Sequence, residues 1–86
     1  MKKSFKVYIA LTSRGNLYTG IALDPEKRIK QHNAGKGAKA LRGQLPVKLL
    51  RASEPMTHSE ALSLEYQIKQ LTPAQKRRWA EGKDHE

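Results

Sequence analysis

The sequence predicts a single domain with an α/β fold of the α+β type and the element order β-β-α-β-α-α. Residues 5–22 contain two runs in which apolar and polar residues alternate with a period of two, as in strands. Three later stretches begin with residues typical of helix caps. The 86 residues suffice for one domain with a small core. We expect residues 5–80 to be ordered and the polar tail 81–86 to be frayed.

The two runs, residues 5–11 and 17–22, are predicted to form a β-hairpin. The sequence Ser13-Arg14-Gly15 between them suits a three-residue loop with glycine in the left-handed position. Such a loop pairs Leu11 with Leu17. This register keeps the main apolar residues on one face of the hairpin, whereas a slip by one residue would divide them between both faces.

The same register brings two tyrosines together on the opposite face. Ala10 is expected to pair with Tyr18, and Tyr8 with Gly20. Because Gly20 has no side chain, it leaves space beside Tyr8. The sequence therefore predicts that Tyr8 and Tyr18 are neighbours on one face of the sheet.

The first helix is predicted to begin at Asp24-Pro25-Glu26, which has an acid at the N-cap and proline at the first helical position. It should end near Asn33, which is interpreted as a helix terminus. Its only large apolar residue is Ile29. Since Arg28 and His32 lie one turn apart and flank Ile29, we expect both at the edge of the contact with the sheet.

Residues 35–39, Gly-Lys-Gly-Ala-Lys, predict a flexible basic loop. The segment is not a P-loop, because no strand ends at it and the Gly-Lys-Ser/Thr ending is absent. Residues 46–52 contain Val47, Leu49 and Leu50 and predict a third strand.

Two further helices are predicted from repeated start signals. Thr57-His58-Ser59-Glu60 is a capping box that should begin a helix ending near Gln70. Thr72-Pro73-Ala74-Gln75 repeats the signal and predicts a last helix that ends near Ala80. Each helix carries one aromatic residue that we interpret as a packing residue: Tyr66 and Trp79.

The helix that begins at the first capping box has an acid among its apolar residues. At about 100° per residue, Glu65 falls about 40° from Ala61, within the arc that includes Ile68. A carboxylate in such a position is costly unless it has a partner. Glu65 is therefore either a residue that snorkels at the rim or pairs with an arginine, or a metal ligand or general base at a cleft.

The chain is strongly basic, with 17 Lys and Arg against 8 Asp and Glu and a net charge of +9. No acid occurs between Glu26 and Glu54. That interval contains eight basic residues: Lys27, Arg28, Lys30, Lys36, Lys39, Arg42, Lys48 and Arg51. One basic surface of this kind favours a nucleic-acid partner, although a solvated face that aids solubility is the alternative.

Two absences limit the class of protein. No apolar run approaches the roughly 18 residues that a membrane span requires, so no membrane partner is expected. The chain has no cysteine, which excludes disulfides and thiolate metal sites. A bacterial-type cytoplasmic protein fits these observations.

In this order and spacing, the candidate residues resemble the GIY-YIG nuclease superfamily. The resemblance rests on Val7-Tyr8, Tyr18-Thr19-Gly20, Arg28, His32 and Glu65. Residues 31–39 and the following Arg42-Gly43 are similar to its small standalone bacterial proteins of the YhbQ type. The likeness spans about residues 5–80. The chain reads Lys-Val-Tyr where the family has Gly-Ile-Tyr, and Thr19 replaces an isoleucine, but both tyrosines are kept.

The resemblance implies a three-stranded antiparallel sheet with flanking helices, and phosphodiester hydrolysis with Mg²⁺ or Mn²⁺. It implies five catalytic residues: Tyr8, Tyr18, Arg28, His32 and Glu65. In this scheme Glu65 holds the metal and Arg28 stabilises negative charge. Tyr8, with a relay through His32 or Tyr18, helps to deprotonate the attacking water. Four basic residues are expected to contact backbone phosphates: Lys27, Lys36, Lys39 and Arg42.

We therefore expect an Mg²⁺-dependent DNA endonuclease that acts in the repair or processing of DNA. Two alternatives stay open: a non-catalytic nucleic-acid-binding module with the same fold, and an RNA-binding protein. Binding alone needs no metal and weakens steeply with salt. The sequence does not identify a partner protein.

Overall fold

The computed structural model describes residues 3–82, in which three strands and three helices follow the predicted order. The strands are β1 (Lys6–Leu11), β2 (Leu17–Ala22) and β3 (Lys48–Ala52). The helices are α1 (Pro25–Asn33), α2 (His58–Lys69) and α3 (Pro73–Ala80). Of the predicted tail, residues 81 and 82 form a turn after α3, and residues 83–86 lie outside the described part.

The sheet is antiparallel with the order β2-β1-β3, so β1 is its central strand. The predicted hairpin register is confirmed, with these pairs: Leu11 and Leu17, Ala10 and Tyr18, Tyr8 and Gly20. The Thr12 amide donates to the Asn16 carbonyl at 2.8 Å and closes a three-residue loop. Gly15 has a φ of 84° in that loop, the left-handed conformation that the sequence predicted.

Both faces of β1 are buried, because helices cover the sheet on both sides. On the α2/α3 face, the buried cluster consists of Val7, Ile9, Ala61, Ile68, Trp79 and Ala80. On the α1 face, it consists of Tyr8, Ala10, Ala22, Ile29, Leu41 and Val47. The face that carries the tyrosines is therefore a second core, and its polar groups are shielded from water.

The third strand begins at Lys48, two residues later than the predicted start at Pro46. Pro46 has no N–H to contribute to a ladder. The next residue, Val47, donates its amide to Asn33 Oδ1 at 2.7 Å, and its carbonyl accepts from Asn33 Nδ2 at 3.1 Å. Asn33 therefore does more than end α1, because its side chain fastens that helix to the segment before β3.

The predicted flexible loop at residues 35–39 is shorter than expected and is anchored at its end. Lys39–Leu41 form a single 3₁₀ turn, and Leu41 is only 2% exposed among the residues of the α1 face. The start signals of α2 and α3 are confirmed, since both capping boxes form their reciprocal hydrogen bonds.

The two aromatic residues of the later helices differ. Trp79 is buried as predicted, and the Arg51 guanidinium lies 4.3 Å from the centre of its ring. The interpretation of Tyr66 as a packing residue is wrong, since it is 68% exposed. Tyr66 lies about 140° around the helix from Ala61 and so faces away from the core. No helix within residues 3–82 combines the length and apolar character needed to cross a bilayer.

Candidate active site

Tyr8 and His32 meet in the core between β1 and α1. The Tyr8 hydroxyl oxygen lies 2.8 Å from His32 Nε2, and the two residues are 1% and 2% exposed. The sequence predicted His32 at the edge of the helix–sheet contact, but α1 directs it into the core beside Ile29. The hydrogen bond gives both buried polar side chains a partner.

Tyr18 completes a cluster of three rings on the α1 face. Its ring centre lies 6.3 Å from that of Tyr8 and 5.6 Å from that of His32, and the second contact is edge-on at 74°. The predicted space beside Tyr8 is confirmed. A Cβ atom built on Gly20 would lie 2.7 Å from the Tyr8 hydroxyl oxygen, so only glycine allows the phenol to occupy this position.

The chain after α1 closes over His32, a contact that sequence reasoning missed. The Ala38 amide lies 3.3 Å from His32 Nδ1, and a Cβ atom on Gly37 would lie 1.7 Å from the same nitrogen. The sequence signal for this contact was Gly37, which we interpreted as a source of flexibility in the loop.

Charges of both signs act on the buried phenol. Burial, with a smaller contribution from Tyr18, raises the pKa of Tyr8 well above 10.0; Arg28 lowers that pKa and Glu65 raises it. Tyr8 therefore keeps its proton at neutral pH. Burial and the positive charge of Arg28 lower the pKa of His32 below 6.5, which favours the neutral imidazole.

Arg28 is exposed, and within residues 3–82 its guanidinium forms no hydrogen bond or ion pair. Together with Asp24, Lys27 and Gln31 it lines a cavity of about 310 Å³ beside α1. Its guanidinium is thus close enough to influence Tyr8 and His32 and is available to an external anion.

Glu65 lies at the rim of the core and is paired with a cation. Its Oε2 atom is 3.3 Å from Lys69 Nζ one turn along α2, and its side chain is 21% exposed. The rim position matches one of the two sequence interpretations. The Glu65–Lys69 pair does not exclude the interpretation of Glu65 as a metal ligand, because an accessible carboxylate can exchange a lysine for a metal ion.

The donor set within the described residues fits only one kind of metal site. Residues 3–82 contain no group of three or more His, Asp or Glu side chains that could hold an ion. Mg²⁺ commonly takes one or two carboxylates and obtains its other ligands from water and substrate phosphates. Glu65 therefore fits a cation shared with a bound phosphate, and the set does not fit an all-protein cage.

The predicted phosphate-contacting residues are all exposed: Lys27, Lys36, Lys39 and Arg42. Lys27 borders the cavity beside Arg28, while the others lie in and after the loop that closes over His32. The structure thus brings Tyr8, Tyr18 and His32 into contact and places Arg28 and Glu65 within electrostatic reach. A larger cavity of about 630 Å³, between the hairpin loop and α3, contains none of the predicted residues.

Comparison with known proteins identifies relatives over nearly the whole chain. Residues 4–78 match the family model of the GIY-YIG catalytic domain. A UPF0213 protein of Klebsiella pneumoniae is 49% identical over 78 residues, which are 91% of this chain and 74% of that protein. A UPF0213 protein of Yersinia pestis is 50% identical over 70 residues, which are 81% of this chain and 74% of that protein.

Two solution NMR structures resemble this fold. A UPF0213 protein of Bacillus halodurans is 36% identical with a TM-score of 0.59. A protein of E. faecalis is also 36% identical, with a TM-score of 0.62. Each match covers 94% of this chain and 86% of the other.

Proposed function

Because the chain belongs to the GIY-YIG nuclease family and has UPF0213 proteins as relatives, we propose that it is a divalent-metal-dependent endonuclease acting on DNA, in repair or processing. One observation supports this proposal most strongly. The buried Tyr8 hydroxyl, which is hydrogen-bonded to His32, lies under the influence of one cation, Arg28, and one anion, Glu65. Strongly perturbed titratable groups are typical of reactive sites.

Arg28 has the role of stabilising negative charge on the scissile phosphate. The guanidinium offers several donors in a planar fork that matches a phosphate, and no residue within 3–82 occupies it. A donor already directed at developing charge contributes most to the rate, because it needs no reorganisation during reaction.

Tyr8, His32 and Tyr18 form the floor of the site. Since the pKa of Tyr8 is raised by burial, its phenol is a hydrogen-bond donor at neutral pH and a poor base. His32 holds the phenol oxygen in place at 2.8 Å, and Tyr18 packs against both rings. The three side chains orient a phosphate by contact and shape.

Glu65 would hold the divalent cation, in place of its pairing with Lys69. A cation bound there would supply neutralisation of charge on the scissile phosphate and on the leaving oxygen. The four exposed basic residues on the α1 side would position the nucleic-acid backbone without reading its sequence: Lys27, Lys36, Lys39 and Arg42.

A nucleic-acid-binding module without activity is the second candidate. One observation favours it: Tyr8 is only 1% exposed, so its hydroxyl group is buried. In this case the basic surface would bind phosphates and the ring cluster would serve packing.

A cleavage assay with matched variants distinguishes the two candidates. The full chain is incubated with branched, single-stranded and duplex DNA, and with RNA, in Mg²⁺, Mn²⁺ or EDTA. Glu65→Gln is compared with Glu54→Gln, which changes the net charge equally at an exposed position beyond β3. We expect metal-dependent cleavage of DNA that Glu65→Gln abolishes and Glu54→Gln retains.

A second pair of variants tests the role of Arg28. Arg28→Ala should reduce cleavage about 100- to 1,000-fold, the usual effect of removing one donor to developing charge. Lys30→Ala removes an exposed cation from the same helix and should change it little. Cleavage that persists in EDTA or in Glu65→Gln would contradict the metal mechanism. Salt-sensitive binding without cleavage of any substrate would favour the module, and cleavage of RNA alone would replace DNA as the substrate.

A further inference from the structure

Both ring nitrogens of His32 have hydrogen-bond partners, and one partner determines the direction of both bonds. The Ala38 backbone N–H can only donate, and it points at Nδ1 from 3.3 Å. Nδ1 must therefore be unprotonated, because a proton there would face the proton of the amide. A neutral imidazole then carries its proton on Nε2, which lies 2.8 Å from the Tyr8 hydroxyl oxygen.

Gly37 allows the Ala38 amide to reach the ring. Its φ is not positive, so the backbone at this position does not demand glycine. The lack of space does require glycine, because a Cβ atom would lie 1.7 Å from His32 Nδ1 and 2.7 Å from His32 Cε1. The contact involves a ring that is itself buried and held at its other nitrogen, so the ring has little freedom to move aside.

The direction of the His32 bond has a consequence for Tyr8. Within residues 3–82, His32 is the only hydrogen-bond partner of the Tyr8 hydroxyl, and in this tautomer it donates. The hydroxyl oxygen accepts that proton, while the hydroxyl's own proton has no acceptor among the described residues. Buried donors without acceptors are rare in native structures, and each calls for an explanation, of which a catalytic role or contact with a bound group is one.

We propose that Gly37 and the Ala38 amide fix His32 as the Nε2-protonated tautomer, so that the Tyr8 hydroxyl proton is reserved for an oxygen of the bound phosphate. His32 and Gly37 are positioning residues in this arrangement, and Tyr8 donates to the ligand. His32 cannot accept the Tyr8 proton at Nε2, which removes the relay through His32 that the sequence suggested. The phosphate rests on the proposed function, whereas the tautomer does not.

The tautomer can be read from the full chain without any assay of cleavage. In two-bond ¹H–¹⁵N spectra at neutral pH, we expect His32 Nδ1 to have the shift of an unprotonated nitrogen and Nε2 that of a protonated one. Comparison with His32→Gln assigns the signals, and the exposed His58 serves as an internal reference. A proton on Nδ1, or rapid averaging of the two forms, would overturn the proposal.

Two glycine variants of the same loop test the role of Gly37. Gly37→Ala should shift His32 toward a mixture of tautomers and reduce cleavage about 100-fold, as expected when a reacting group is misplaced by about 1 Å. Gly35→Asn adds a side chain where no atom lies within 4 Å of the new Cβ atom, and asparagine tolerates the left-handed φ of 79° at this position, so it should keep the wild-type histidine spectrum. An unchanged spectrum in Gly37→Ala would contradict the role of Gly37.

The cleavage assay and the histidine spectrum distinguish a failure of the proposed function from a failure of the His32 arrangement. If the wild-type chain cleaves nothing but shows the expected tautomer, the proposed function fails and the His32 arrangement stands. If it cleaves DNA with the opposite tautomer, the function stands and the arrangement fails. Should Gly37→Ala not fold, the wild-type spectrum still decides the tautomer.

Discussion

The two faces of the sheet treat buried polar groups in opposite ways. On the α1 face, His32 is 2% exposed and both of its nitrogens are hydrogen-bonded. On the α2/α3 face, Thr19 is 5% exposed, and its hydroxyl has no hydrogen-bond partner within the described residues. The α1 face thus arranges hydrogen-bonded polar side chains within its core, whereas the core of the α2/α3 face is mainly apolar and leaves the Thr19 hydroxyl without any hydrogen-bond partner among the described residues.

The glycines follow the same division. Gly20 and Gly37 are the positions where a side chain would collide with neighbouring atoms, and they make room for Tyr8 and His32 on the α1 face. A cluster that needs two such close approaches is more constrained than apolar packing, in which side chains of similar volume can replace one another. The α1 face is therefore built for a fixed arrangement and the α2/α3 face for stability.

The largest effect on stability is expected from the α2/α3 face. Ile68→Ala, at a residue 2% exposed, should lower the free energy of unfolding by about 2–5 kcal/mol through lost burial and a cavity. Leu62→Ala on the same helix, at a residue 48% exposed, should change it by less than about 0.5 kcal/mol. Denaturant titration measures both, and equal losses would mean that α2 does not pack as described.

Deleting one hydroxyl from each face should have effects of opposite sign. Tyr8→Phe leaves the His32 Nε2 proton buried without an acceptor and should destabilise the fold by about 1–3 kcal/mol. Thr19→Val removes an unmatched hydroxyl and should stabilise it by about 1 kcal/mol. Thermal or denaturant unfolding of the two variants decides the point, and a loss of stability in Thr19→Val would show that its hydroxyl has a partner.

Stability should also depend on pH through His32. Its pKa is lowered from 6.5 by burial and by Arg28, so below pH 6.5 the unfolded chain binds protons that the folded protein excludes. Stability should therefore be complete above pH 6.5 and decline as the pH falls from there toward the lower folded-state pKa. The slope can reach at most about 1.4 kcal/mol per pH unit for one proton.

Two histidine variants identify the source of that slope. His32→Asn should flatten the pH dependence of unfolding between about pH 6.5 and 5, the region just below the usual histidine pKa. His58→Asn, at an exposed position, should leave it unchanged. A slope that survives in His32→Asn would assign it to another group.

Short-range sequence patterns explain which features could be predicted from the sequence. A three-residue loop and a two-residue period fix the hairpin register, so the proximity of Tyr8 and Tyr18 followed directly. Capping residues mark helix starts in the same local way, and the bounds of α1 and α3 agree with the prediction. The Glu65–Lys69 pair is also local, with a spacing of four residues, but an arginine rather than Lys69 was the predicted partner.

The contacts that were missed depend on where the chain goes after an element ends. The closure of Gly37 and Ala38 over His32 requires the path of the chain after α1, which no short-range pattern specifies. The hydrogen bonds between Asn33 and Val47 likewise join residues at the two ends of the segment between α1 and β3. Because Val47 is engaged by Asn33, β3 begins one residue later, at Lys48. A glycine in the sequence does not distinguish a mobile loop from a backbone that packs closely against another group, since both favour the smallest residue.

The order of the strands also bears on how the site is assembled as the chain folds. β1, β2 and α1 are consecutive, and their loops are short, so closing them costs little chain entropy. The ring cluster and Arg28 therefore belong to the part of the chain that can form first, while β3 and α2 require more distant contacts. Glu65 lies on α2, so the carboxylate proposed to bind the metal reaches the ring cluster only through these more distant contacts.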